Sequence, residues 1–494
     1  MFNFFKPKQK KDLTPKKRGM ELPPLRLHNT YSNAMEYFVP LKKGQVSMYN
    51  CGPTVYGTQH IGNMRAAVFA DTLRRTFLVW GFKVRQVINI TDFGHLSGGD
   101  VGDDNTEDKM TQGLKREGMK PTLENMSKLA EKYAAEYFED IASLGLDTEH
   151  ITFPRASKYI PEQIALIKAL VEKSYAYETP DGVYYDVSRF PAYGALGHIN
   201  LAGLKEGARV ETGHKRGPFD FILWKSDKKL GWQSPWGMGF PGWHIECTAM
   251  IFTILGKQID VHTGGIEHIP VHHQNEIAQA EAASGKKFVQ YWLHNDHITI
   301  EGKKISKSLG NTVFLHNIVD KGFSPRALRL WFLGGHYRSP MNFTWEALEG
   351  ANTALLKLTR FFFEDLGKVK ESKPDEKFVA EFAASIAEDL NTAGALARMW
   401  ELVKDDTMSP EAKRASLIFA DRVLGLGFTE VGSAKKIAVI EKEDLPAEVQ
   451  ALMLKRSAAR EAKDFAQSDE LRAQIEALGY NVTDSAEGAQ ITKK

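Results

Sequence analysis

Gln45-Val46-Ser47-Met48-Tyr49, then Cys51-Gly52-Pro53-Thr54, then His60-Ile61-Gly62-Asn63 follow one another closely in a chain of 494 residues. Their order decides the fold. The first group reads as a short strand, the second as a turn-forming loop and the third as the entry to a helix. Phe69, Leu73, Phe77 and Trp80, at spacings of four, four and three, form one apolar face of that helix, and Gly81 stands where it would end. Val84 to Ile90 then reads as a second strand. In a parallel sheet, the loop of such a unit lies at the carboxyl end of the first strand. A nucleotide there meets the free amides and positive dipole of the helix start. Gly62 lets a ligand approach the backbone, and His60 can donate to a phosphate.

Far downstream, a strand-like His297 to Ile300 and the turn Glu301-Gly302 deliver Lys303-Lys304-Ile305-Ser306-Lys307-Ser308. Lysines alternating with small hydroxyl residues suit a clamp on a polyphosphate, most valuably as charge develops in a transition state. Taken alone, the same residues read more readily as a solvated basic loop.

The chain has two cysteines, Cys51 and Cys247, and no CxxC motif, a sparing use of thiols that fits a reducing compartment. In His272-His273-Gln274-Asn275-Glu276, closed by Gly285, a helix places His272 and Glu276 one turn apart on one face. Two thiolates, an imidazole and a carboxylate satisfy tetrahedral zinc. Spacing by itself leaves buried apolar thiols open. His273, next on the helix, is expected to point away from His272, toward a supporting or adenosine contact.

The groups around His60 and Lys307 resemble the HIGH and KMSKS signatures of class I aminoacyl-tRNA synthetases. The chain as a whole is similar to the cysteinyl-tRNA synthetase family. That resemblance runs from about Leu22 to the C-terminus and takes in Asn89-Ile90-Thr91-Asp92, Phe221 to Lys225, Pro235-Trp236-Gly237, Gly242-Trp243-His244-Ile245-Glu246-Cys247 and His336-Tyr337-Arg338-Ser339. It implies that Cys51, Cys247, His272 and Glu276 hold one zinc ion per chain, and that Thr91 and Trp243 contact substrate cysteine. It further implies ATP handling, with magnesium, by His60, Gly62, Asn63 and Lys307, with His262 as a further nucleotide-site candidate; His60, Asn63, Lys304 and Lys307 are the catalytic set. The expected partners are cysteine, ATP and cysteine tRNA. A cysteine ligase acting on an amino sugar would share the core and lack the C-terminal unit.

The implied fold is α/β: a Rossmann-like nucleotide-binding catalytic domain with an inserted domain, followed by an α-helical bundle and a small C-terminal anticodon-binding unit. Expected boundaries are a basic tail at 1–21, the catalytic domain at 22–320 with an insertion at about 119–238, a connecting stem at 321–352, the bundle at 353–430, a linker at 431–445 and the terminal unit at 446–494. Within that unit, two helices carry Lys455, Arg456, Arg460, Lys463 and Arg472, and Ile491 stands where some family members have an aromatic residue. The acidic stretch 98–108 misses the EF-hand spacing and reads as a solvated loop. With 64 Lys and Arg against 62 Asp and Glu, net charge neither announces nor excludes a nucleic acid. No run reaches the roughly 20 apolar residues that span a bilayer. A monomer in the cytoplasm, with no membrane partner, is expected.

Overall fold

The computed structural model describes residues 22–94, 109–198, 214–305, 310–367, 369–428, 445–462, 464–485 and 488–493. The tail at 1–21, the acidic stretch, Lys307 and almost all of the linker at 431–445 lie outside them. Contacts divide the chain into two units, Met1–Leu315 with Pro325–Leu426, and His316–Ser324 with Gly427–Lys494.

The first unit opens with a hairpin, β1 (Arg26–Asn29) and β2 (Ala34–Tyr37), and enters the nucleotide fold at β3 (Gln45–Asn50), α1 (Ile61–Val79) and β4 (Lys83–Ile88). Helices α2 (Lys109–Arg116) and α3 (Leu123–Ser143) lead to β5 (Ile151–Thr152) and α4 (Ile160–Glu172). An antiparallel sheet follows, β6 (Ala176–Thr179), β7 (Gly182–Tyr185), β8 (Phe221–Ser226), β9 (Trp232–Ser234) and β10 (Gly237–Pro241), in the order β6-β7-β8-β10-β9. The chain returns through α5 (Trp243–Ile254), β11 (Ile259–Gly265), α6 (His272–Ser284) and β12 (Val289–Asn295). Strands β12-β11-β3-β4-β5 make one all-parallel sheet.

Within the expected insertion at 119–238, Ile151 and Thr152 pair with Gln86 and Val87 of β4, so β5 is a strand of the parallel sheet, and the antiparallel sheet begins at β6. A two-residue strand carries no periodicity to read.

The path from β3 runs outward to β4 and β5, while the path from β11 runs the other way to β12. Adjacent strands whose connections diverge leave a crevice at their carboxyl ends. Cys51 follows β3 directly, and its N–H donates to the Thr263 carbonyl of β11 at 3.0 Å. Gly52 lets the crossing be that tight, since a Cβ there would lie 1.7 Å from the Asn89 carbonyl oxygen. Helix α5 is packed between the two sheets. Cys247, Met250 and Ile251 face the core of the parallel sheet with Tyr49 and Trp292, while Ile245 and Ala249 face that of the inserted sheet with Trp224 and Tyr185.

Beyond β12 come β13 (Ile298–Ile300), β14 (Lys303–Lys304) and the short α7 (Leu315–Asp320), then α8 (Pro325–Leu333) and β15 (Met341–Phe343). The bundle is α9 (Trp345–Arg360), α10 (Glu376–Ala387), α11 (Thr392–Lys404) and α12 (Pro410–Leu424).

In the second unit, α13 (Ala447–Glu461) and α14 (Phe465–Ala477) are joined by a hairpin absent from the sequence reading, β16 (Tyr480–Ser485) and β17 (Gly488–Lys493). Ile491 is 2% exposed in a small core with Val449, Met453, Ile475 and Val482, so this position is a packing residue and not a stacking platform. Arg456 is likewise buried, at 1% exposed, which removes it from the expected cationic face. No helix among the described residues is long and apolar enough to cross a membrane.

Candidate metal centre and nucleotide cleft

The start of α1 is built by its own sequence. His60 is the N-cap: its Nδ1 accepts the Gly62 N–H at 3.1 Å, and Asn63 Oδ1 accepts the His60 N–H at 3.2 Å, a reciprocal cap. Because Nδ1 spends its lone pair on the backbone, the proton of a neutral His60 ring sits on Nε2. Gly62 is required for this fold-back, since a Cβ there would meet the His60 ring at 2.9 Å. Residues that flank 306–309 come to the same place. Ile61 N–H donates to Val313 O at 3.0 Å, His60 pairs with Phe314, and Ile305 stands 3.6 Å from where a Gly62 Cβ would be. Described residues on both sides of 306–309 thus reach the helix N-terminus that carries His60. Lys304 is exposed on β14.

Helix α6 has no amphipathic stripe because it has no outside: His272 to Ala280 are all buried. A polar helix can be buried all round only if its side chains are hydrogen-bonded. Gln279 donates to the His244 and Asn275 carbonyls, Tyr193 OH donates to Asn275 Oδ1, and Gln274 Oε1 accepts the Gly194 N–H. Its first turn delivers two imidazoles and a carboxylate to the end of the sheet.

The ligating atoms of Cys51, Cys247, His272 and Glu276 lie within 4.8 Å of one another. His272 Nε2 is 2.8 Å from Glu276 Oε1 and 3.7 Å from Cys247 Sγ. Its other nitrogen, Nδ1, is 2.9 Å from His244 Nδ1, which fixes the ring in the manner of a metal ligand whose outer nitrogen is held by a second residue. Both cysteines are free thiols. Burial works against charge on Glu276, but His262 and His272 outweigh it and hold its carboxyl well below the usual range. Burial likewise opposes a charged His272, and Glu276 overcomes it and pulls the imidazole up. Burial and the neighbouring Cys247 push the Cys51 thiol up. Two sulfurs, a nitrogen and an oxygen at this spacing, surplus in acceptors and buried at every member but Cys51, fit tetrahedral zinc.

Around this set stand the other expected residues. Trp243, the first residue of α5, has its ring 4.3 Å from that of His272. Thr91 is buried and donates from Oγ1 to Glu246 Oε2 at 2.8 Å. His273 reaches a different member of the set from His272, its Nε2 standing 3.3 Å from Cys51 Sγ, a supporting contact of the kind expected. His262, expected at the nucleotide, is fully buried with Nε2 2.9 Å from Glu276 Oε2, inside the cluster and not on an open cleft face. Its place on a seven-residue strand buried throughout explains this. His244 and His294 escaped the sequence reading. His244 adjoins Trp243 and could have been weighed with it; His294, on β12, carries no local signal.

The doubly wound sheet, with a capped helix start at its switch point, is the architecture of a class I aminoacyl-tRNA synthetase. In fold the chain is similar to Mycobacterium tuberculosis methionyl-tRNA synthetase in complex with methionyl-adenylate, with TM-score 0.53 and 13% identity over 77% of this chain and 90% of that one. Residues 37–353 match the tRNA synthetases class I (C) catalytic domain, and residues 442–491 the cysteinyl-tRNA ligase anticodon binding domain. Cysteine–tRNA ligase 1 of Burkholderia lata is 43% identical across 95% of this chain and 97% of its own. The cysteine–tRNA ligases of Treponema denticola and Thermus thermophilus are 38% and 40% identical, each across 94% of this chain and 98% of theirs. The chain belongs to the cysteinyl-tRNA ligase family.

Proposed function

We propose that the buried cluster is the seat of the amino acid, and the His60 helix start the seat of ATP, in the cysteine–tRNA ligase reaction. The chain activates cysteine with ATP to cysteinyl-adenylate, releasing pyrophosphate, and transfers cysteine to the 3′-terminal ribose of cysteine tRNA. Cys51, Cys247, His272 and Glu276 would hold the zinc. When bound, zinc supplies a soft Lewis acid that takes the cysteine thiolate and rejects the harder, less acidic serine hydroxyl.

The chain's own residues do the rest by placement. Trp243 covers His272 and closes the amino-acid side of the cluster, while Thr91, its hydroxyl proton given to Glu246, is the further contact for substrate cysteine. A carboxylate is already a nucleophile toward the α-phosphate, so positioning and charge stabilisation carry the step in place of a strong general base. His60 presents Nε2–H, the α1 N-terminus presents its amides, and Lys304 with Lys307 neutralises the departing pyrophosphate. The C-terminal unit positions the tRNA through phosphates and reads unpaired anticodon bases. A monomer in the cytoplasm, free of any membrane, completes the reading.

One observation carries it: two thiols 196 positions apart in sequence meet an imidazole and a carboxylate at the switch point of the nucleotide sheet. Amino-acid-dependent ATP–pyrophosphate exchange across a panel of amino acids tests it. Cysteine alone should support exchange, and equal exchange with serine would sink the assignment.

A further inference from the structure

The ring of donors is larger than one tetrahedral ion needs. Beside the first set, the ligating atoms of Cys51, His262, His273 and Glu276 also lie within 4.8 Å of one another. The two sets share one thiol and one carboxylate, and the carboxylate is divided between them. Oε1 is 2.8 Å from His272 Nε2, and Oε2 is 2.9 Å from His262 Nε2. A carboxylate presenting one oxygen to each of two imidazoles has the disposition that bridges paired cations.

We propose that this centre contains a second, weaker cation seat formed by Cys51, His262, His273 and Glu276, which takes a second zinc ion when zinc is in excess. The inference rests on the assignment of Cys51, Cys247, His272 and Glu276 to the first.

Each imidazole of the second seat is disposed as a ligand. His273 aims Nε2 at Cys51 Sγ, while its Nδ1 is 2.8 Å from His294 Nε2; His294 in turn reaches Thr30 Oγ1 at 2.8 Å through its own Nδ1. An outer nitrogen held in this way orients a ligating ring and raises its basicity. Gly264 makes room for it, since a Cβ there would stand 2.7 Å from the His273 ring. His262 lies flat on Trp292, with ring centroids 4.5 Å apart. Its Nδ1 has no partner among the described residues and is free to take the ring proton, which the 2.9 Å contact with Glu276 Oε2 otherwise holds on Nε2. That nitrogen can give a proton to Glu276 or a lone pair to a cation.

Charge favours a second ion. Two thiolates and a carboxylate carry three negative charges against the two positive charges of one zinc, so a second dication enters a net negative site. Sharing Cys51 and Glu276 is what weakens it. Occupancy also draws electron density from Cys51, a ligand of the zinc that takes the substrate thiolate, so surplus zinc should raise the cysteine concentration needed for exchange.

Equilibrium dialysis of the full chain against zinc chloride, with metal analysis, should show two equivalents, the second bound about 100-fold more weakly. His273→Gln and, independently, His262→Gln should each saturate at one. Cys247→Ala strikes only the first seat: it should bind one cobalt ion with about half the thiolate-to-cobalt absorption of the one-equivalent parent. Cys247→Ala/His273→Gln should bind none. Thermal melts of every variant identify any that has misfolded. If the parent saturates at one equivalent and Cys247→Ala loses it, the second seat is overturned and the first stands. If the parent's tight equivalent is indifferent to both Cys247→Ala and His273→Gln, the first assignment falls as well.

Discussion

The metal cluster and the ionic network around Asp71 are both buried in the same unit, and they differ in what completes them. In the network, Arg75 and Arg329 contact Asp71 Oδ2 at 2.7 and 2.6 Å. The remaining guanidinium hydrogens go to the last carbonyls of two helices. Arg329 donates to Leu424 O of α12 and Leu144 O after α3, and Arg75 donates to Gly145 O. Two cations, one anion and two negative helix ends balance one another. In the metal cluster the balance is partial: imidazoles offset Glu276, but two thiols add further acceptors, and no arginine or lysine is among the described residues that contact them. A charge cluster that closes on itself holds helices together. One that stays open holds a ligand.

The largest effect should come from opening the closed cluster. Arg329→Ala leaves Asp71 buried with half its compensation and two helix ends uncapped, and should cost about 3–5 kcal/mol in urea unfolding with zinc content unchanged. Replacing both partners, as Asp71→Leu/Arg329→Met, should recover most of that loss. If Arg329→Ala instead strips zinc, the two clusters are not separate.

The same network sets part of the acid limb. Burial opposes charge on Asp71, but Arg75 and Arg329 outweigh it and hold the carboxyl below its usual value. Its contribution to stability is complete above the unfolded value of about 3.9 and is lost as pH falls through the lower folded value. In Asp71→Asn that share of the pH dependence should disappear from unfolding midpoints taken below about pH 4.

Next in size, Cys247→Ala should lower cysteine-dependent pyrophosphate exchange about 100-fold, some 2.8 kcal/mol, while leaving the urea midpoint of metal-depleted protein nearly where it was. Exchange at the parental rate would mean that the open cluster does not hold the substrate.

Smallest, Asn63→Ala removes the carboxamide that closes the α1 cap and should cost about 1 kcal/mol of stability. Exchange should fall beyond that, because the cap also orients His60; a stability loss with unaltered ATP dependence would separate the helix start from the nucleotide.

Much of this was legible locally. Helix α1 ends at Gly81 (φ 86°), as its apolar spacing and a left-handed glycine require, and α6 ends at the left-handed Gly285 (φ 69°). Helix α3 opens on Thr122, whose Oγ1 accepts the Asn125 N–H, a cap that the residue type itself signals. Strand β5 and the β16–β17 hairpin were not legible, one too short for a period and the other dependent on packing against α13 and α14 for its core.

The sequence by itself determined the strand–loop–helix start, the one-turn spacing of His272 and Glu276, and the scarcity of thiols, because these depend on neighbours along the chain. Only the tertiary structure decided that His262 and His273 point inward, that Ile491 and Arg456 are buried, and that β5 completes the parallel sheet. Those outcomes are set by which strands pair and which helix faces are covered. Such contacts join residues far apart in sequence, and no local periodicity encodes them.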